Sequence, residues 1–162
     1  MQSSKLVKKT EIINKSGIHD NLVLEKFEAG VSLTGPEVKS VRANAASLQD
    51  SFVHFTAGQA YLENVYISPY QDSTGYEPNK ARKLLLKKGE IDYLMGKSQA
   101  SSLTVIPLRM YNTRGLIKVE IGLVKGKKLY DKRRELKEKA IERDIDQAMR
   151  GEKLRNQQEQ GR

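Results

Sequence analysis

At Gly126 this chain changes from one kind of polymer to another. Before it, short runs of strand formers carry most of the apolar residues. From it, Gly126-Lys127-Lys128-Leu129-Tyr130-Asp131-Lys132-Arg133-Arg134 opens a segment too polar to build a core of its own. Any fold must therefore draw its interior from the residues ahead of the break and leave an appendage behind it. The run sets Lys127, Lys128, Lys132, Arg133 and Arg134 beside the ring of Tyr130 at that edge. Cations placed so neutralise phosphates and release condensed counterions. A flat ring stacks on an unpaired base. RNA is the partner that this pattern fits first.

The balance of charge agrees. Among 162 residues, 29 Lys and Arg face 20 Asp and Glu, a net charge of +9, which favours nucleic acid or an anionic membrane surface. An apolar content of 38% supports one core and leaves polar segments over. The chain has no cysteine, which excludes disulfides and thiolate metal sites and is compatible with a reducing cytoplasm. No run approaches the roughly 20 apolar residues of a membrane span. The start, MQSSKLVKKTEIINK, lacks the apolar stretch of a secretory signal. A soluble, cytoplasmic, basic protein is the expectation.

Residues 1–20 read as a flexible polar segment. Residues 22–30 are strand formers in partial alternation, with a bend or bulge expected at Gly30 before Val31-Ser32-Leu33. Pro36 suits the first turn of a short helix over 35–44, and Glu37 suits its positive end. Ser51–Phe55 and Gln59–Ile67 read as strands around an Ala57-Gly58 turn. A polar loop follows over 70–80, and a second short helix over 88–96 carries Ile91, Leu94 and Met95 on one face. The clearest pair is Leu103–Tyr111 and Leu116–Val124, with Asn112-Thr113-Arg114-Gly115 as a four-residue loop. Pro107 demands an edge or a bulge there, since it cannot donate a ladder bond. The pattern predicts a mainly β domain over 21–130, a small antiparallel barrel of the oligonucleotide-binding type with two or three short helices.

Residues 131–162 form a basic tail. Helix propensity is good and Glu135 stands four before Lys139. Ile141, Ile145, Ala148 and Met149 make only a thin apolar stripe, so the tail is expected to be loose when free and partly helical against RNA. Catalysis finds little support. His19 and His54 are the two histidines, no nucleophilic triad is legible, and no phosphate-cradling glycine loop is present. Neither a metal site nor a cofactor is indicated. Two other readings stay open: a generic single-strand-binding barrel without a dedicated RNA, and a magnesium-dependent nuclease using Glu37 or Asp50.

Several segments, taken in order, resemble the SsrA-binding protein family, also called small protein B. They are Phe27–Gly30, Leu33–Ala43, Asp50–Val53, Ile67–Tyr70, Arg82–Leu86 and Lys125–Arg133. The resemblance covers roughly residues 14–150. It implies a barrel that binds the tRNA-like domain of transfer-messenger RNA (tmRNA) and delivers it to stalled ribosomes for trans-translation. It implies tRNA mimicry, with the tail in the empty message channel of the small subunit. It assigns RNA contact to Asn14, Lys15, His19, Glu28, Lys39, Arg42, Arg82, Lys83, Leu85 and Lys87. Contact with the decoding centre goes to Gly126, Lys127, Lys128, Tyr130, Asp131, Lys132 and Arg133. The chain departs from the family near residues 16–21, where extra arginines and an aromatic are missing. It also carries Lys87 where a smaller polar residue or histidine is usual.

Overall fold

The computed structural model describes residues 10–71, 74–127 and 129–160, with side chains outside 129–132 and 154–160. It divides into two units, Met1–Gly126 and Lys127–Arg162. In the first unit the element order is β1 (Glu11–Ile13), α1 (Lys15–Asp20), β2 (Asn21–Val31), α2 (Gly35–Arg42), β3 (Ala46–Ser47), β4 (Phe52–Thr56), β5 (Gln59–Glu63), β6 (Tyr66–Ile67), β7 (Arg82–Leu85), α3 (Lys88–Ala100), β8 (Leu103–Thr113) and β9 (Leu116–Gly126). The second unit is one helix, α4 (Leu129–Gln160).

The strands form a seven-stranded sheet in the order β1-β8-β9-β2-β7-β5-β4, and β3 pairs separately with β6. Every pairing is antiparallel. Alternation along the strands turns Ala29, Leu62, Leu84, Val119 and Ile121 inward, where each is at most 1% exposed. The same cluster draws Ile12 from β1, Val53 from β4 and Met110 from β8, so the sheet wraps one interior. Its outermost strands, β1 and β4, are not hydrogen-bonded to each other. The sheet is therefore wrapped but open between β1 and β4, and the expected mainly β, antiparallel architecture stands.

Local chemistry explains the other departures from expectation. Residues 11–20 are β1 and α1; residues 1–9 lie outside the described set. Pro107 sits at the irregularity between β8 and β9, where the register shifts between Pro107 and Arg109, as a residue without an N–H requires. Gly30 pairs regularly, and the irregularity of β2 falls at Val23/Glu25 instead. The β8–β9 loop is two residues, not four. Arg114 and Gly115 both take positive φ (51° and 81°), and the pairs Asn112↔Ile117 and Thr113↔Leu116 extend the ladder to them. Ala57 and Gly58 close β4–β5 the same way, since such turns match the twist of the strands. α3 runs four residues past Gly96 to Ala100.

A buried ion pair joins α2 to the sheet. Thr34 and Glu37 form a reciprocal capping box at the start of α2, the stabilising role expected of Glu37. The other carboxylate oxygen of Glu37 accepts from Arg82 Nε at 2.5 Å. Arg82 Nη1 donates to the carbonyls of Val65 (2.7 Å) and Lys80 (3.1 Å). Its Nη2 donates to Pro78 O (2.9 Å) and the Tyr76 hydroxyl (3.1 Å). All five N–H groups of the guanidinium are thus engaged, and both Glu37 and Arg82 are 2% exposed.

Burial pushes the Glu37 carboxyl up, but Arg82, the Thr34 amide and Lys80 outweigh it and hold it below its ordinary value. The pair's stabilisation is therefore full above the unfolded-state value, about 4.3, and is lost as pH falls through the lower folded value. Glu37→Gln strands a buried cation and should cost about 3 kcal/mol or more in urea unfolding at neutral pH. The difference between variant and wild type should shrink in acid. A difference that holds constant down to pH 3 would refute this account.

Candidate nucleic-acid interface

The alternation that buries Arg82 and Leu84 turns Lys83 and Leu85 outward. Cross-strand register then gathers residues far apart in sequence. Gly30 on β2 stands between Leu85 on β7 and Lys118 on β9, and Glu28 stands opposite Glu120. A cleft of about 270 Å³ opens here, with Leu85, Leu116, Ile117 and Val38 among the apolar residues lining it and Lys118 on its edge. Leu85 is 57% and Leu116 63% exposed, an apolar floor that solvent reaches. Arg42 of α2 reaches the tip of the β8–β9 hairpin, where its Nη2 donates to Gly115 O at 3.0 Å. Lys39, one turn earlier on α2, holds its ammonium 5.3 Å from the centre of the Tyr70 ring. The result is a small apolar floor with cations beside it. Such a site suits an unpaired base and its phosphates, because base and phosphate need unlike partners.

Glu28 stands beside this cleft. Its carboxylate accepts a hydrogen bond from the Tyr111 hydroxyl, and its other oxygen lies 3.9 Å from Lys118 Nζ. Burial first, and then Glu28, push the Tyr111 phenol up to about 12, so it remains a donor at neutral pH. Hydrogen bonds from Arg109 to Glu11 and Glu120 hold its guanidinium above its ordinary range.

The residues named from sequence thus separate. Glu28, Arg42 and Leu85 gather around the cleft, with Lys39 one turn before Arg42 on α2 and against Tyr70, Lys83 exposed on β7 and Lys87 preceding α3. Arg82 is removed from any RNA face, because it is buried and fully engaged. Asn14 is likewise a scaffold residue, 3% exposed. Its Nδ2 donates to Pro107 O (2.8 Å), and its Oδ1 accepts from the Gly17 amide (3.0 Å), capping α1. Lys15 is exposed, and His19 Nδ1 lies 3.2 Å from Asp20. These α1 residues sit at the Asn21 end of β2, about 30 Å of extended strand from Gly30. Asn21 pairs with Gly126, so the root of the basic segment is at that end also.

In the second unit, Lys127 Nζ lies 2.8 Å from both carboxylate oxygens of Glu135, and Arg133 is exposed. Lys128 lies outside the described residues, as do the side chains of Tyr130, Asp131 and Lys132.

Sequence reasoning missed Lys118, Tyr70, Tyr111 and Arg109. Strand alternation through Leu116–Val124 puts Lys118 on the outer face, and that signal was legible. The nearness of Tyr70 to Lys39 follows from the packing of a loop and was not. Of the two acids in the nuclease reading, Glu37 is committed to Arg82 and buried.

Comparison with known proteins follows the same lines. The family model described as SmpB protein matches residues 11–151. The SsrA-binding protein of Sulfurihydrogenibium sp. (strain YO3AOP1) is 50% identical over 140 residues, covering 85% of this chain and 92% of the relative. That of Rubrobacter xylanophilus is 48% identical over 144 residues, covering 88% and 95%. A solved chain described as "tmRNA-SmpB: a journey to the center of the bacterial ribosome" superposes with a TM-score of 0.63 at 45% identity, covering 82% of this chain and 94% of that one.

The geometry separates support from contact. Asn14→Ala removes both the cap and the bond to Pro107, and should lower stability by about 1–2 kcal/mol. In folded protein it should leave the affinity for the tRNA-like domain within about twofold of wild type. A roughly tenfold loss of affinity in the folded variant would show that Asn14 touches the RNA.

Proposed function

The chain belongs to the SmpB family, and we propose on that premise how its parts divide the family's work. It is an RNA-binding adaptor that binds tmRNA and acts on the ribosome. The reading of its surface rests above all on one observation, the apolar-floored cleft beside Arg42, Lys118 and Glu28, with Lys39 one turn from Arg42 on the same helix. This face grips the tRNA-like domain. Cations on α2 and the sheet meet phosphates, and Leu85 with Leu116 supports an unstacked base. Lys83 and Lys87 add charge at the margin. Lys15 and His19 touch the RNA from the far end of β2, near Gly126.

The segment from Gly126 to Arg133 anchors at the decoding centre, and the tail beyond lies in the empty message channel. The sequence from 129 to 160 supports helix, yet Leu136, Ile141, Ile145 and Met149 are all at least 49% exposed. Such a helix gains little from burial and is marginal alone. It orders fully only where phosphates surround it, and a resident message would exclude it by volume and by charge. A cytoplasmic setting follows from these partners.

Two experiments test this division. Replacing Lys39 and Arg42 with alanine should weaken binding of the tRNA-like domain and lower the slope of log affinity against log salt by roughly one to two. An unaltered slope would remove α2 from the interface. Ending the chain after Leu129 should leave tmRNA binding nearly intact and abolish tagging on stalled ribosomes. Tagging that persists in the shortened protein would show that the tail has no part in sensing the channel.

A further inference from the structure

A row of charged side chains crosses the outer face of the sheet. Arg109 on β8 donates to Glu11 on β1 and to Glu120 on β9, each at 2.9 Å, and Lys26 on β2 lies 3.8 Å from Glu120. Arg109 is thereby fixed, and its guanidinium carbon lies 4.8 Å from the centre of the Tyr111 ring. Tyr111, 8% exposed, donates its hydroxyl to Glu28 Oε2. The Glu28 side chain is itself 59% exposed, with Oε1 toward Lys118. A buried phenol, steadied by a paired arginine, thus holds an exposed carboxylate in one orientation beside the cleft.

Resting on the cleft as the RNA-gripping face, we propose that Tyr111 and Arg109 present the Glu28 carboxylate to the N1–H and N2–H₂ groups of an unpaired guanine. An ionised carboxylate only accepts hydrogen bonds, and it repels phosphate. What it takes from RNA must be a donor. Guanine offers two neighbouring donors on its Watson–Crick edge, which match the two oxygens of a carboxylate. Cytosine and adenine set a ring acceptor beside their single amino donor, and uracil sets a carbonyl on each side of its N–H. Holding the carboxylate before the base arrives removes the cost of ordering a long side chain at that moment. Glu28 is then the contact that reads the base, and Tyr111 is a positioning residue acting through it.

The test uses the full protein and a transcribed tRNA-like domain of tmRNA, with Glu28→Gln, Tyr111→Phe and the double variant. Unpaired guanines are probed with kethoxal, which reacts at N1 and N2. Adenines and cytosines are probed with dimethyl sulfate. Glu28→Gln should weaken binding roughly tenfold and expose to kethoxal one guanine that the wild-type protein protects. Tyr111→Phe should partly expose the same guanine and weaken binding less. The double variant should match Glu28→Gln alone, because Tyr111 acts only through Glu28.

An unchanged kethoxal pattern in Glu28→Gln overturns the assignment, as does new exposure of an adenine or cytosine instead. Additive losses in the double variant overturn the positioning role. If Tyr111→Phe does not fold, Arg109→Lys, which loosens the ring, replaces it with the same expectations. If Glu28→Gln binds as wild type while the Lys39 and Arg42 variant does not, this inference fails and the cleft survives as the RNA face. If both bind as wild type, the cleft itself is wrong.

Discussion

The guanidinium of Arg82 is the point on which the first unit depends. It engages a helix, the residue preceding β6 and a polar loop from one position on β7, using every donor it has. A buried charge of this kind stabilises little in net terms, since desolvation consumes most of the Coulombic gain. Its effect is geometric. Fewer partners would leave an uncompensated cation in the interior, so α2 has one acceptable seat against the sheet. That seat decides where Lys39 and Arg42 stand, and Arg42 in turn meets the hairpin tip at Gly115. The proposed interface is therefore built outward from a residue that is itself buried.

The sheet supplies the second constraint. β2 is eleven residues long and carries the cleft at its Gly30 end and the root of the basic segment at its Asn21 end. β2 is paired to β9 from Asn21 to Gly30, and to β7 as well at Gly30 and Val31, so the spacing between the two is set by the ladder and not by any surface contact. An adaptor that must hold one RNA while engaging a second body gains from that arrangement. Binding at one end need not loosen the other.

Most of this was legible before any coordinates. Alternation located the strands, Pro36 and Glu37 located α2, and the break near Gly126 is where the chain divides. What failed did so for physical reasons. Arg82 reads as a surface cation because nothing in Arg82-Lys83-Leu84-Leu85-Leu86 says which face of a strand turns inward, and a register shift of one residue exchanges the faces. Asn14 reads as a contact because its partner, the Pro107 carbonyl, is 93 residues away. Residues 11–20 look loose because their order comes from β8 and not from themselves. Closure of the barrel was not legible, because alternation shows that strands pair around a core yet carries no information on whether the two outermost strands meet.

Charge placement gives the final step. A chain at +9 has cations enough to keep every acid away from a polyanion. Here Glu28 and Glu120 sit on the same outer face as Lys26, Lys118 and Arg109, interleaved strand by strand. Exposed ion pairs of this sort contribute little to stability, so stability is a poor reason for them. Their consequence is that cations on the central strands are partly neutralised, while Lys39 and Arg42 on α2 carry no carboxylate partner within ion-pair distance among the described residues. The charge of Arg42 at the hairpin tip is thus left for an anion to meet. On the proposed reading a phosphate is drawn to that rim, and the acid beside it is left to meet what the phosphate carries with it, a base.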